Sequence, residues 1–235
     1  MFLPINLIGF YRKEKVMNSK YRIVLFDLDG TLSDSAYGVK ICIESALQKL
    51  GKPIPDLSDY SLYVGPPLLT TFQKLCGLTA EESVKAVELY REEYEQRGKY
   101  ENYQYEGMRE LILKLKESGA VTAVATSKYE PFARWVVDYI GLDRVFDAVC
   151  GSTLDGKRKE KADIVRYAAD TLGVSISKQT ICLVGDTRFD AAGAVQAGCD
   201  FVGVSYGFGT VEQMQEAGGA KIAASVSELY DYLLE

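Results

Sequence analysis

The sequence predicts a doubly wound α/β protein: a parallel sheet covered by helices on both faces, with a helical domain inserted behind the first strand. Three observations predict it. Short, apolar, β-branched-rich runs recur along the chain, as strands buried on both faces require. Helices with apolar periodicity separate most of these runs, the alternation of a layered α/β fold. One interval, residues 35–105, holds no convincing strand.

The elements follow in order from residue 21. The first strand is expected at residues 22–26, with later ones at 121–125, 148–150, 180–184 and 201–204. Helices are expected at 108–118, 132–140, 163–172 and 191–197. In the insert, Val39, Ile43, Ala46, Leu47 and Leu50 form one apolar stripe, and Val84, Val87 and Tyr94 belong to another. Four prolines within residues 52–67 break these helices apart. A crossover needs only about a dozen residues, so 35–105 reads as a domain of its own. Residues 21–34 and 106–235 then form the α/β core. Residues 1–20 read as an N-terminal extension, because Met17 lies just before the first clean strand and offers a later start.

Composition narrows the function. The 235 residues are 47% hydrophobic and 26% charged, as in an ordinary globular protein. No apolar run reaches the roughly 20 residues of a membrane-spanning helix. Lys plus Arg is 27 against 33 Asp plus Glu, a net charge of -6 with no basic block, so neither nucleic acid nor an anionic membrane is an expected partner. Histidine is absent. That excludes Ser-His-Asp and Cys-His catalysis and His-ligated zinc, and leaves acid–base work to carboxylates, Lys, Tyr, Cys or metal-bound water. Cys42, Cys76, Cys150, Cys182 and Cys199 form no CxxC pair. They read as buried reduced thiols of a cytoplasmic protein. No sequence feature specifies an oligomeric state.

Ligands of such sheets bind at the carboxyl ends of the strands, and three runs end there in Asp27, Thr126 and Asp186. The first motif is Phe26-Asp27-Leu28-Asp29-Gly30-Thr31-Leu32. Carboxylates two apart on extended backbone point the same way, and they repel unless a cation lies between them or one is protonated. The pair suits an oxygen-ligated Mg2+ site, or two acids with separate roles. The second is Gly185-Asp186-Thr187-Arg188-Phe189-Asp190. Asp190 shares a face with Asp186, or simply complements a helix dipole. The third is Thr126-Ser127-Lys128, read as the start of a helix: an anion site, or an ordinary cap. The fourth is Lys157-Arg158-Lys159-Glu160-Lys161. Its lysines are either solvated charge or a phosphate contact, and Lys161 lies nearest the following helix.

These motifs, in this order, resemble those of the haloacid dehalogenase-like hydrolases from residue 21 to the C-terminus. The segment 203–209 with Glu216-Ala217-Gly218 is similar to the phosphoglycolate phosphatase-like branch. The resemblance implies a Rossmann-like core with the insert as a cap, and a Mg2+-dependent phosphatase of a small phosphorylated metabolite. It implies Asp27 as the nucleophile that becomes an aspartyl phosphate, and Asp29 as the proton donor and acceptor. Thr126, Ser127 and Lys161 would bind the phosphoryl group. Asp27, Asp186 and the main-chain carbonyl of Asp29 would bind Mg2+, with Asp190 supporting from behind or orienting Lys161. Lys157 and Lys159 compete with Lys161 for its role. A sugar-phosphate mutase and a non-catalytic phospho-ligand-binding protein are the alternatives. A dehalogenase has no use for Asp29. In the insert, Tyr63, Gly65 and Pro66 form a rigid loop expected to face the site; Arg91, Arg97 and several tyrosines also lie in the insert. The tyrosines either pack helices or stack a base, which keeps both phosphoglycolate and a nucleoside monophosphate as substrates.

Overall fold

A computed structural model describes residues 19–155 and 157–234. The expected N-terminal extension therefore lies almost wholly outside the described residues. The chain enters on β1 (Ile23–Phe26) and leaves the sheet through a two-residue strand, β2 (Ser33–Asp34). The insert follows as α1 (Ala36–Lys49), α2 (Leu68–Lys74) and α3 (Ala80–Gln96). It returns through β3 (Tyr103–Gln104), which pairs antiparallel with β2. The core continues as α4 (Met108–Glu117), β4 (Val121–Tyr129), α5 (Glu130–Tyr139), β5 (Ala148–Ser152), α6 (Lys161–Thr171), β6 (Ile181–Gly185) and α7 (Arg188–Ala197). It ends with β7 (Asp200–Val204), α8 (Val211–Glu216), β8 (Lys221–Ala223) and α9 (Val226–Leu234).

Among the described residues, six strands form a parallel sheet in the order β5-β4-β1-β6-β7-β8. All four residues of β1 are buried, because helices cover both faces. One face packs Val24, Phe26 and Val124 against α4, α5 and α9. The other packs Ile23, Leu25 and Ala123 against α6 and α7. The chain winds outward in both directions from β1, so a crevice opens at its carboxyl end. The five expected strands are present. β8 is an addition; its three residues are too short to show a pattern.

The insert has its own apolar core, where Ile43, Leu47 and Phe72 are fully buried beside Tyr63 and Tyr94. A capping box starts α3: Thr79 Oγ1 accepts from Glu82 N, and Glu82 accepts from Thr79 N. One expectation fails here. Val84 is 53% exposed; the buried face of α3 runs through Ala86, Val87, Tyr90 and Tyr94 instead. Rings then join insert to core: Tyr94 lies 4.9 Å from Phe132, and Tyr100 lies 5.1 Å from Trp135, between centroids.

Candidate active site

Asp27 and Asp186 directly follow the adjacent strands β1 and β6, and Thr126 lies within β4 on the other side of β1. Asp27 is 6% exposed and Asp186 fully buried. Lys161, the first residue of α6, reaches in from the side. Its Nζ lies 2.8 Å from Asp27 Oδ1 and 2.6 Å from Asp190 Oδ1, and it donates to Ala125 O at 3.1 Å. Burial alone would lower the Lys161 ammonium, but Asp190 and Asp27 outweigh it and raise it. Lys157 instead points outward and pairs with Asp155; Lys159 lines the cleft.

Asp190 makes two sets of contacts at once. Oδ1 faces Lys161, while Oδ2 accepts from Thr187 N (3.0 Å) and Thr187 Oγ1 (2.6 Å) in the capping box that starts α7. The helix terminus thereby fixes the carboxylate that fixes the lysine.

Asp186 sits in a cradle of close backbone. Its Oδ1 accepts from Thr31 Oγ1 at 3.1 Å, and Oδ2 from Phe208 N at 2.8 Å. Gly30, with φ +82°, turns the chain after Asp29, and any Cβ on Gly30 or Gly207 would collide with the Asp186 side chain. One carboxylate oxygen each from Asp27, Asp186 and Asp190 lies within 4.8 Å of the others. Burial, then Asp190 and Asp27, push the Asp186 carboxyl well above its ordinary range. Asp27 is pushed up to about 6, by burial first and against the pull of Lys161. Among the described residues, Asp27 Oδ1 and Asp190 Oδ1 have no hydrogen-bond partner beyond the Lys161 ion contacts. Three buried carboxylates facing one ammonium lack positive charge, and their hard oxygens fit a small divalent cation.

One part of the site differs from the sequence reading. Thr126 and Ser127 do not start a helix: β4 runs on to Tyr129, and α5 begins at Glu130 with Pro131 in its first turn. Thr126 is buried, and its Oγ1 accepts from Lys128 N at 3.2 Å. Ser127 lines the cleft. Lys128, to which the third motif assigns no role of its own, lies two residues beyond Thr126 on extended backbone. Its Nζ contacts both Asp29 oxygens, at 2.8 and 2.7 Å, and sits 4.7 Å from the centre of the Tyr94 ring. The period of two on a strand was the signal that would have found it.

The cleft between core and insert encloses about 370 Å3. Asp27, Asp29 and Lys161 form its floor. Leu69, Val84 and Val87 from the insert, with Tyr129 and Phe189 from the core, give it an apolar wall, interrupted by Glu88 and Arg91. Of the expected loop, Gly65 and Pro66 line the cleft, and Gly65 lies against Thr187 of the core. Tyr63 lines it too, but it is 1% exposed and its hydroxyl donates to Leu57 O at 3.0 Å, so packing within the insert accounts for it.

Residues 24–204 match the family model described as haloacid dehalogenase-like hydrolase. A 5'-nucleotidase of Pseudomonas aeruginosa is 37% identical over 196 residues, 83% of this chain and 88% of that protein. The tyrosine-protein kinase PtkA of Mycobacterium tuberculosis is 34% identical over 233 residues, 98% of this chain and 78% of that protein. The crystal structure of a predicted phosphatase from Clostridium acetobutylicum superposes with a TM-score of 0.84 at 38% identity, covering 91% of this chain and 98% of the other. Phosphoglycolate phosphatases are also among the relatives. The chain belongs to the haloacid dehalogenase-like hydrolases. Within them it is a phosphoric monoester hydrolase, the class of its phosphatase relatives.

Proposed function

We propose that this hydrolase is a Mg2+-dependent phosphatase that transfers the phosphoryl group of a nucleoside monophosphate to Asp27 and then to water. The observation that carries the reading is the convergence of Asp27, Asp29 and the buried Lys161 on one cleft, with Asp186 buried behind them within reach of Asp27. Asp27 Oδ attacks phosphorus as the ester bond breaks, and Asp29 delivers a proton to the leaving oxygen. Water then attacks the aspartyl phosphate, Asp29 takes its proton, and phosphate leaves. Lys161, with Thr126 and Ser127, neutralises and holds the phosphoryl oxygens in both steps. Asp190 keeps Lys161 in place. Asp27, Asp186 and the main-chain carbonyl of Asp29 would hold Mg2+. Bound there, the ion supplies positive charge against the phosphoryl oxygens and keeps Asp27 ionised.

Asp29 cannot give a proton while both its oxygens accept from Lys128. A phosphoryl or leaving oxygen therefore competes for that ammonium when substrate enters. Residues 35–105 act as a cap that excludes water during the two steps. The apolar wall of the cleft suits a base and ribose better than a two-carbon acid, and the 5'-nucleotidase relative points the same way.

The test is phosphate release by the full chain from nucleoside monophosphates, phosphoglycolate, sugar phosphates and p-nitrophenyl phosphate, with Mg2+ and with chelator, beside Asp27→Asn. Release that requires both Mg2+ and Asp27, fastest on a nucleotide, is expected. Release that survives chelator or the substitution overturns the mechanism. Fastest release from phosphoglycolate overturns the substrate class, and an isomer in place of free phosphate marks a mutase.

A further inference from the structure

A second cavity, of about 350 Å3, opens where the insert joins the core. Its walls carry rings from three parts of the chain. Tyr37 and Tyr60 come from the insert, Tyr103 and Tyr105 from the returning connection, and Tyr206 and Phe208 from the loop after β7. Two carboxylates, Asp34 and Glu101, also line it. Asp34 Oδ1 accepts from Ala36 N at 3.1 Å, and Glu101 Oε2 accepts from the Tyr103 hydroxyl at 3.0 Å. Among the described residues, neither forms an ion pair, and no basic side chain lines the cavity.

Aromatic faces and carboxylates are both negative, so the cavity repels phosphate and other anions. A bare divalent metal ion wants a close shell of oxygens, and here two carboxylates stand among rings. A neutral apolar ligand leaves the acids without a partner. An organic cation satisfies both: its alkyl surface and diffuse charge lie on ring faces while its N–H groups reach a carboxylate. We propose that this cavity binds a small free amine with an alkylammonium head, such as a di- or polyamine.

Its position gives the occupant a lever on the active site. Asp34 and Tyr103 are directly paired across β2 and β3, the strands that connect core and insert. Tyr206 donates to Thr31 O at 3.2 Å, and Phe208 N holds Asp186 Oδ2. An amine in the cavity therefore touches the hinge of the insert and the loop that seats Asp186.

The proposal is independent of the phosphatase reading, and its test reads binding alone. Spermidine and tetramethylammonium are titrated calorimetrically into the full chain, with chelator and at constant ionic strength. One saturable site is expected for spermidine, and weaker binding for tetramethylammonium, which offers charge to the rings but no N–H. Glu101→Gln, which keeps the shape of the side chain, and Tyr103→Ala, at a 61% exposed ring, should each weaken binding about tenfold. Asp27→Asn should leave it unchanged. No saturation up to about 10 mM, binding indifferent to both cavity variants, or binding lost in Asp27→Asn would overturn the proposal. So would tetramethylammonium binding as tightly as spermidine, which would leave the N–H contacts to Asp34 and Glu101 without a role.

Discussion

Metal-free, the protein should become more stable when its nucleophile is neutralised, and the gain should depend on pH. Asp27 is raised from its ordinary 3.8 to about 6, by burial first and by Asp190 and Asp29 beside it, against the pull of Lys161. The folded protein therefore holds this proton more tightly than the unfolded chain. Below about pH 4 both forms are protonated and the site costs nothing. As pH rises towards 6 the unfolded chain ionises first, so stability is lost across that window, by about 3 kcal/mol in all. The amide in the Asp27→Asn variant cannot ionise and escapes the loss. Carboxylates remote from Asp27 cancel in the difference, and Asp186, which the Asp27 charge also pushes up, moves the difference in the same direction. Urea unfolding of wild type and Asp27→Asn in chelator, at about pH 4 and about pH 7, measures it. The variant should gain up to about 3 kcal/mol over wild type between those two pH values. Saturating Mg2+ at neutral pH should then stabilise wild type, by about 2.7 kcal/mol at a hundred times the dissociation constant, and affect the variant less. A difference that does not move with pH would refute the reasoning, because Asp27 would then meet no penalty for ionising in place.

Other substitutions separate the roles of neighbouring groups. Lys161→Met should lower kcat by about 100- to 1000-fold and destabilise the fold by about 3–5 kcal/mol, since two buried carboxylates lose their cation; Lys157→Met and Lys159→Met should change kcat little, as steady-state assays will show. Lys128→Met should lower kcat on a nucleotide by about 10- to 100-fold, by misplacing Asp29. The loss should be smaller on p-nitrophenyl phosphate, whose leaving group needs no proton, and equal losses on both would contradict the role. Val84→Asp should raise KM for a nucleoside monophosphate about tenfold with kcat nearly unchanged, because it puts charge against the apolar wall.

Much of this was legible in the sequence because it rests on local pattern. The strand Ile23–Phe26 declares itself through burial on both faces, and Asp27 and Asp186 declare themselves by ending apolar runs. What was not legible depends on tertiary contact. Val84 repeats the apolar period of α3, yet it faces the cleft, and only the position of the core decides that. Thr126 resembles a helix cap in sequence; the strand continues past it because Pro131 sets the helix start and the bare backbone of Gly151 lets β5 run close to Lys128 and Glu130. The same misreading hid Lys128, whose partners Asp29 and Tyr94 are remote in sequence. Tyr63 lines the cleft as its loop predicts, but the contact that holds its hydroxyl, to Leu57 O six residues earlier, is not legible in the sequence.

The central claim is that the phosphoryl group passes through Asp27. Steady-state turnover of a nucleoside monophosphate with Mg2+ can be quenched in acid, reduced with borohydride, digested and read by mass spectrometry. An aspartyl phosphate is reduced to homoserine, so the peptide spanning Asp27 should carry homoserine at that position, and only when substrate and Mg2+ were both present. Unmodified Asp27 under rapid turnover, or homoserine at another aspartate, would contradict the account.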